Sequence, residues 1–142
     1  MGLVDSGKQA LQTKGAAATI LGADMKASVT NPFQSGAMVI LTLGNPREKF
    51  WGALLDLHPE GLSLCGIELA SFEDLVAMVK EGETFSPGVV FFPMHRIERM
   101  ELDLPDGSIP SLTQRFSSAT ALDAAAMLRR YASDSSLAEA KK

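Results

Sequence analysis

The chain has 142 residues, a length that suits one domain with additional terminal segments. Hydrophobic residues make up 46% and charged residues 21%, a balance that supports a packed core and argues against global disorder. The formal net charge is −4, and the stretch from Met38 to Phe116 holds six Lys and Arg against twelve Asp and Glu, which argues against a basic face for nucleic acid.

The amino-terminal arm, residues 1–37, is rich in Ala, Gly, Ser, Thr and Lys. Its Ala, Gln, Lys and Leu favour a helix, whereas Gly7, Gly15 and Gly22 would each cost about 1 kcal/mol inside one. We therefore expect a flexible or marginally helical arm. The sequence "TNPFQSG" at 30–36 predicts a linker into the folded body.

Short strands are predicted in the body, residues 38–104. The first, "AMVILTL" at 37–43, has apolar side chains on both faces, which is typical of a closed or two-layer sheet. The second is "FWGALLDL" at 50–57. Gly52 in its middle predicts a sharp bend or a close approach of two backbones.

The third predicted strand, "LSLCGIEL" at 62–69, contains another glycine. Gly66 allows a β-bulge that would turn the apolar residues after it toward the core. A helix is predicted next over "SFEDLVAMVKEG" at 71–82, where apolar residues repeat at helical spacing. Ser71 is its predicted N-cap and Gly82 its stop.

The fourth and fifth predicted strands are "VVFF" at 89–92 and "IERMELD" at 97–103. Pro93 lacks the N–H that a central strand donates, so the chain must break or bend between them. The residues of the fifth strand that we expect to serve the core are Ile97, Met100 and Leu102.

A helical carboxyl-terminal extension is predicted over residues 105–133. Ser111 and Gln114 have the spacing of a capping box at the start of a short helix. The sequence "TALDAAAMLRRY" predicts a second helix, capped by Thr120. The tail, residues 134–142, is expected to fray.

These elements predict a mainly β protein with helices, in the α+β class. Five short strands, with a glycine bend and a proline break, describe a small, strongly bent five-stranded barrel. One helix is inserted between strands 3 and 4, and another lies at the carboxyl end. Closure would remove the exposed edges that a short open sheet presents.

Two segments resemble the motifs of the Sm-like (LSm) family. The sequence "VILTLGNPREKFWGALLDLHPEGLSL" is similar to the first motif, in which a strand and a turn precede an aromatic residue, a glycine and two leucines. The sequence "VVFFPMHRIERMEL" is similar to the second motif, in which a strand ends in a short turn and Ile leads into the closing strand. The resemblance implies a small five-stranded SH3/Sm-like barrel whose variable loop holds the helix at 71–82.

The same resemblance implies where RNA would bind, namely an Asp-x-x-x-Asn in the first motif and an Arg-Gly or Lys-His pair in the second. Here Gly61 and Leu62 stand near the position of the Asn. His95 and Arg96 stand near the second pair, without its glycine. Because the body is also acidic, we do not expect nucleic acid as the partner.

A second resemblance concerns "DLHPEG", Asp56 to Gly61, which is similar to the D-x-S-x-x-G motif of PilZ domains. It implies a small barrel that binds cyclic di-GMP through this motif and an upstream R-x-x-x-R. His58 replaces the serine, and Arg47 stands alone upstream. Loss of these groups removes phosphate and guanine contacts, so nucleotide binding is not expected.

The candidate partner-binding residues are Phe50, Trp51, His95, Arg96 and Arg99. The basic three could contact an anion or a partner; alternatively the arginines pair with surface acids such as Glu98 and Glu101. The two aromatic residues beside a turn could form an interface patch; alternatively they are one core residue and one exposed aromatic.

Other reactive side chains have simpler interpretations. Cys65 lies in an apolar strand and is expected to be a core residue, and His58 is expected to be a solvated turn residue. Two histidines and one cysteine make no zinc pattern, and the sequence has no catalytic triad, phosphate loop or dinucleotide motif. We therefore expect no enzyme, no metal and no cofactor.

A single cysteine excludes an intrachain disulfide and favours a thiol-keeping compartment. No apolar run approaches the roughly 20 residues of a membrane span, so we expect a cytoplasmic protein. The sequence-based hypothesis is a non-catalytic interaction or assembly module, as a subunit of a complex or a homo-oligomer. The alternative is an RNA- or nucleotide-binding regulatory barrel that uses His95, Arg96 and Arg99.

Overall fold

The strands and helices follow the predicted order. The computed structural model describes residues 31–140, so the prediction for residues 1–30 of the arm lies outside the described residues. The strands are β1 Met38–Leu43, β2 Glu48–His58, β3 Gly61–Glu68, β4 Gly88–Pro93 and β5 Ile97–Leu102. The helices are α1 Phe72–Lys80, α2 Leu112–Thr120 and α3 Ala124–Ala140, with 3-10 turns at Leu69–Ser71 and Met94–Arg96.

The five strands form one antiparallel sheet in the order β4-β3-β2-β1-β5. The α+β class, the helix between β3 and β4 and the carboxyl-terminal helix are therefore confirmed. No ladder joins β4 to β5 within residues 31–140, so the sheet is open there and closure into a barrel is not confirmed. The two strands lie at opposite edges of the sheet although they are consecutive in the chain, where Pro93 ends β4 and a 3-10 turn of three residues leads into β5.

One face of the sheet carries an inner cluster of buried apolar side chains. The buried residues of this inner cluster all come from strands: Val39, Leu41, Leu43, Leu54, Leu62, Leu64 and Phe92. The partly buried residues that pack on this cluster come from the strands and from the segment before β1, which contributes Phe33 and Ala37. The apolar pattern predicted for both faces of β1 is confirmed, since Val39, Leu41 and Leu43 lie in this cluster and Ile40 packs on the other face.

The helices cover the opposite face. The buried residues of this outer cluster are Trp51 from β2, Phe72 and Leu75 from α1, Phe116 from α2 and Ala124 from α3. The Trp51 ring lies edge-on to Phe72, with 5.1 Å between ring centroids, and 6.1 Å from Phe116. Both faces of the sheet are therefore apolar, which accounts for the two-sided hydrophobic pattern of β1 and β2.

Gly52 and Gly66 lie opposite each other in the β2–β3 ladder. A Cβ on Gly52 would lie 2.4 Å from the carbonyl oxygen of Cys65, and a Cβ on Gly66 would lie 2.2 Å from that of Trp51. The close backbone approach predicted at Gly52 is confirmed. The bulge predicted at Gly66 is wrong, because the register shifts between Leu54 and Asp56 instead.

Ile67 packs on the outer cluster without a bulge. Alternation places it on the face opposite to Leu62 and Leu64, and the helices make that face a second core. The bulge was considered because, for this one strand, the sequence analysis allowed for a single buried face only.

The ends of the helices differ from the predictions in two places. The capping box is confirmed, since the Gln114 N–H donates to Ser111 Oγ at 3.0 Å and the Ser111 N–H donates to Gln114 Oε1 at 2.9 Å. Ser71 precedes α1, but its side chain makes no capping hydrogen bond. Thr120 ends α2 rather than capping α3, because Ala121 adopts a left-handed φ of 62°.

The carboxyl-terminal helix is longer than the sequence pattern indicated. α3 begins at Ala124 and continues to Ala140, beyond residue 133, where the predicted extension ends. Its first turns contribute Ala124 to the outer cluster, and Leu128 packs with Ala53 and Cys65. The Ala-rich composition permits this close approach between the helix and the sheet.

Candidate interaction surface

The five candidate partner-binding residues do not form one site. Trp51 is fully buried in the outer cluster, so its ring is not available to a partner in this fold. Phe50 is partly buried against the inner cluster, and its ring lies 4.9 Å from that of Phe92. The interpretation of Trp51 as a core residue is confirmed, and the surface interpretation does not fit it.

The two arginines of the basic cluster are paired inside the chain. Arg96 donates to Glu48 Oε1 at 2.8 Å and to the Pro46 carbonyl at 3.3 Å. Arg99 donates to Glu101 Oε2 through two nitrogens, at 3.2 and 2.8 Å. Both positive charges are therefore partly compensated before any anion arrives.

His95 lies beside Arg96 in the 3-10 turn Met94–Arg96 and is exposed. Arg99 lies on β5 and directs its guanidinium to Glu101 on the same strand. These pairings agree with the alternative interpretation in the sequence analysis, in which the two arginines form ion pairs with surface acids. The role of His95, Arg96 and Arg99 in binding a partner stays a prediction.

The remaining reactive groups occupy ordinary positions. His58 Nε2 lies 2.8 Å from Asp56 Oδ2, and both side chains are exposed. Cys65 is buried, and burial raises the pKa of its thiol to about 11, which keeps the thiol protonated at neutral pH. Among the described residues no three His, Cys, Asp or Glu side chains are grouped as metal ligands.

A small apolar cleft lies between α1, the segment before β4 and α3. Its volume is about 260 Å³, which is at the lower end for a ligand pocket. The lining residues are Val79, Gly82, Glu83, Phe85, Pro87, Met127 and Tyr131. Glu83 and Tyr131 are the polar side chains among these lining residues, and the rest of the lining is apolar or glycine.

The most exposed apolar strand is β4, at one edge of the sheet. Val89, Val90 and Phe91 keep 49%, 39% and 53% of their surface exposed, and only Phe92 is buried. No charged residue occurs from Gly88 to Met94. Edge strands usually carry charges that prevent pairing with other chains, so an uncharged apolar edge indicates a contact surface.

The backbone of β4 is also open on its outer side. Pro93 is paired with Gly61 and has no N–H, so this pair is of the type that exchanges no hydrogen bonds. The next pair inward is bonded, as is Met94, whose N–H donates to the Glu60 carbonyl at 2.8 Å. By alternation, Val89 and Phe91 direct their N–H and C=O groups away from β3.

No strand within residues 31–140 pairs with these outward groups. The other edge of the sheet, β5, differs because it carries the charged residues Glu98, Arg99 and Glu101. The two edges are therefore chemically distinct, and only β4 combines open backbone groups with exposed apolar side chains.

Sequence analysis missed this edge because it placed "VVFF" inside a closed barrel. A usable signal was present, since proline within a sheet is largely confined to edge strands and strand ends. The charge-free composition of the segment was a second signal.

Comparison of the chain with protein families, with curated proteins and with solved structures returned no match. No helix among the described residues is long and apolar enough to cross a membrane.

Proposed function

We propose that the chain is a non-catalytic protein-interaction module and that the outer edge of β4 is its contact surface. The observation that carries this proposal is the coincidence of outward backbone groups with exposed Val89 and Phe91 on a strand without charges. Sheet edges of this kind accept an additional strand, in which backbone hydrogen bonds provide affinity and alternate side chains provide specificity.

The architecture of the module is an SH3/Sm-like small barrel that is incomplete between β4 and β5. Support comes from the inner cluster, whose buried residues within the described part of the chain all come from strands. In this arrangement the gap in the sheet leaves β4 free for a partner, whereas α2 and α3 occupy the outer face of the central strands. The protein acts as a subunit of a complex or as a homo-oligomer in the cytoplasm.

The alternative function is RNA or nucleotide binding by His95, Arg96 and Arg99. It has less support, because Arg96 and Arg99 already donate to Glu48 and Glu101. An anion would have to displace these carboxylates, and the acidic body would oppose its approach.

A single charge at the β4 edge tests the proposed function. Phe91→Lys places an ammonium group on the exposed face of β4, where it opposes strand addition without emptying the core. Leu104→Lys is the matched control, since Leu104 is 65% exposed and lies outside the sheet. Sedimentation of each purified chain, alone and with extract of its native cells, measures association.

We expect association of the wild-type chain, with itself or with a defined protein, to be retained by the Leu104→Lys variant and lost in the Phe91→Lys variant. Circular dichroism of all three chains checks that the fold is unchanged. A wild-type chain that stays monomeric and retains no protein would contradict the proposed function, as would equal losses in both variants.

A further inference from the structure

We infer that the β4 edge binds β4 of a second copy of this chain, antiparallel, about a two-fold axis at Val90. This inference rests on the proposed function, because it assigns an occupant to the same edge. A two-fold contact uses the same surface on both copies, so it requires that surface to be complementary to itself. The strand meets this requirement in its backbone, its boundaries and its side chains.

The alternation of outward and inward backbone groups along β4 restricts the possible registers to those that differ by an even number of residues. Only Val89 and Phe91 direct both N–H and C=O outward within the stretch from Gly88 to Phe92. With the axis at Val90, Val89 of one copy lies opposite Phe91 of the other, and each such pair exchanges two hydrogen bonds. A register shifted by one residue would place outward groups opposite inward ones and form no ladder.

The prolines delimit the same register. Pro87 and Pro93 each lie three residues from Val90, so in this arrangement Pro87 of one copy faces Pro93 of the other. Neither has an N–H to donate, so the new ladder ends at the same place on both sides. The paired stretch is then Gly88 to Phe92 in both copies, without an unpaired remainder.

The side chains match across the axis. Val89 would lie beside Phe91 of the second copy, a β-branched and aromatic pair of the kind that stabilises adjacent strands. Val90 would lie beside Val90 of the second copy on the other face of the sheet. These three residues carry the large apolar side chains that the single chain leaves exposed in β4.

Charge favours a second copy of β4 over the other free edge. The net charge of −4 makes two copies repel, and an uncharged strand is a place where they meet with little local repulsion. Pairing of β4 with β5 of another copy would set exposed Glu98 and Arg99 and half-buried Glu101 beside Val89 and Phe91. That contact would desolvate charges against apolar side chains.

The contact is small. Two strands of five residues bury less than the about 800 Å² per partner of a standard stable interface. We therefore expect a weak dimer whose population rises with protein concentration. Because the contact is two-fold, association stops at the dimer and does not continue into fibres.

Cysteine cross-linking of the full chain tests the register. In the proposed dimer the two copies of residue 90 form a non-hydrogen-bonded pair with Cα atoms about 4.5 Å apart, within the range of a disulfide. The two copies of residue 89 are offset by two residues, about 7 Å along the strands, and are too distant. The native Cys65 is buried and does not compete.

We expect mild oxidation to give at least about fivefold more covalent dimer from Val90→Cys than from Val89→Cys. Adding Val89→Pro to Val90→Cys should abolish the cross-link, because proline at 89 removes an outward N–H and keeps every bond to β3. Circular dichroism of each variant confirms that the fold is retained.

Equal cross-linking at positions 89 and 90, or none at either, would overturn the second-copy inference. If the Phe91→Lys variant still loses a defined partner protein in that case, the proposed function stands and the occupant of the edge is a strand of that protein. If the Phe91→Lys variant also behaves as wild type, both fail.

Discussion

Asp103 shows how much one carboxylate can organise in this protein. It is buried, at 8% exposure, and lies just after β5. The Trp51 indole N–H donates to its Oδ2 at 3.0 Å, and the N–H groups of Leu112 and Thr113 donate at 3.0 and 2.7 Å. The carboxylate therefore links the central sheet to the amino end of α2, where free N–H groups and the helix dipole favour a negative charge.

Asp103→Ala should lower the free energy of unfolding by about 3 kcal/mol, because it leaves the Trp51 N–H and the first N–H groups of α2 without their acceptor. Urea denaturation followed by Trp51 fluorescence measures the loss. Asp106→Ala is the control, since Asp106 is exposed and its side chain makes no hydrogen bond within the described residues. Equal effects of the two substitutions would contradict this role.

Cys65 predicts a dependence of stability on alkaline pH. Burial raises the pKa of its thiol from 9.0 to about 11. The unfolded chain loses this proton at lower pH than the folded chain, so the contribution is complete below pH 9 and is lost as the pH rises toward 11. Its size is on the order of 2 kcal/mol.

Urea denaturation between pH 8 and 11 measures this contribution, and Cys65→Ala is the matched variant. We expect the wild-type chain to lose more stability over the interval than the variant. Identical slopes for the two chains would show that the thiol does not resist ionisation in the folded state.

At the scale of elements, the close approach of the β2 and β3 backbones depends on a pair of glycines, Gly52 and Gly66. Gly66→Ala would place a methyl group against the Trp51 carbonyl, a backbone atom that cannot rotate away. We expect a loss of about 3 kcal/mol or failure to fold, at the upper end for an overpacked core. The midpoint of urea denaturation measures the effect.

The control for this substitution is Gly88→Ala in the neighbouring strand. Gly88 is paired directly with Gly66, but an added Cβ there would lie 3.3 Å from the Val90 Cγ2 atom and 3.9 Å, an ordinary contact, from the Gly66 carbonyl oxygen. A side-chain methyl at the sheet edge can move aside, so this variant should lose less than about 1 kcal/mol. If the Gly88 variant were the less stable of the two, the close approach of β2 and β3 would not be what requires glycine at position 66.

At the scale of the whole molecule, two apolar clusters share one sheet. Strand β2 contributes Leu54 to the inner cluster and Trp51 to the outer cluster. Loss of either cluster would expose the apolar side chains that the same strands direct to that face. The strands and α1 to α3 are therefore expected to unfold as one cooperative unit.

Thermal unfolding tests this cooperativity, because Trp51 reports on the outer cluster and far-ultraviolet circular dichroism reports on all elements. The two signals should change at the same midpoint, and Leu41→Ala in the inner cluster should lower both midpoints together. Separate midpoints would mean that the helices detach before the sheet unfolds.

The sequence by itself determined the local elements. Alternation and helical spacing identified all five strands and α1, and the Ser111 and Gln114 pair marked the start of α2. These features depend on residues a few positions apart, so they are visible without knowledge of the fold. Gly52 was interpretable for the same reason, since a missing side chain in a strand is itself a local signal.

Only the tertiary structure decided which surfaces remain free. The position of β4 at an edge, the pairing of Arg96 with Glu48 and the burial of Trp51 all depend on neighbours distant in the chain. The same holds for Asp103, which sequence analysis left unnoticed because its four donors come from Trp51, Leu112 and Thr113. Periodicity specifies which side of a strand is apolar, whereas the order of strands specifies which apolar side meets solvent.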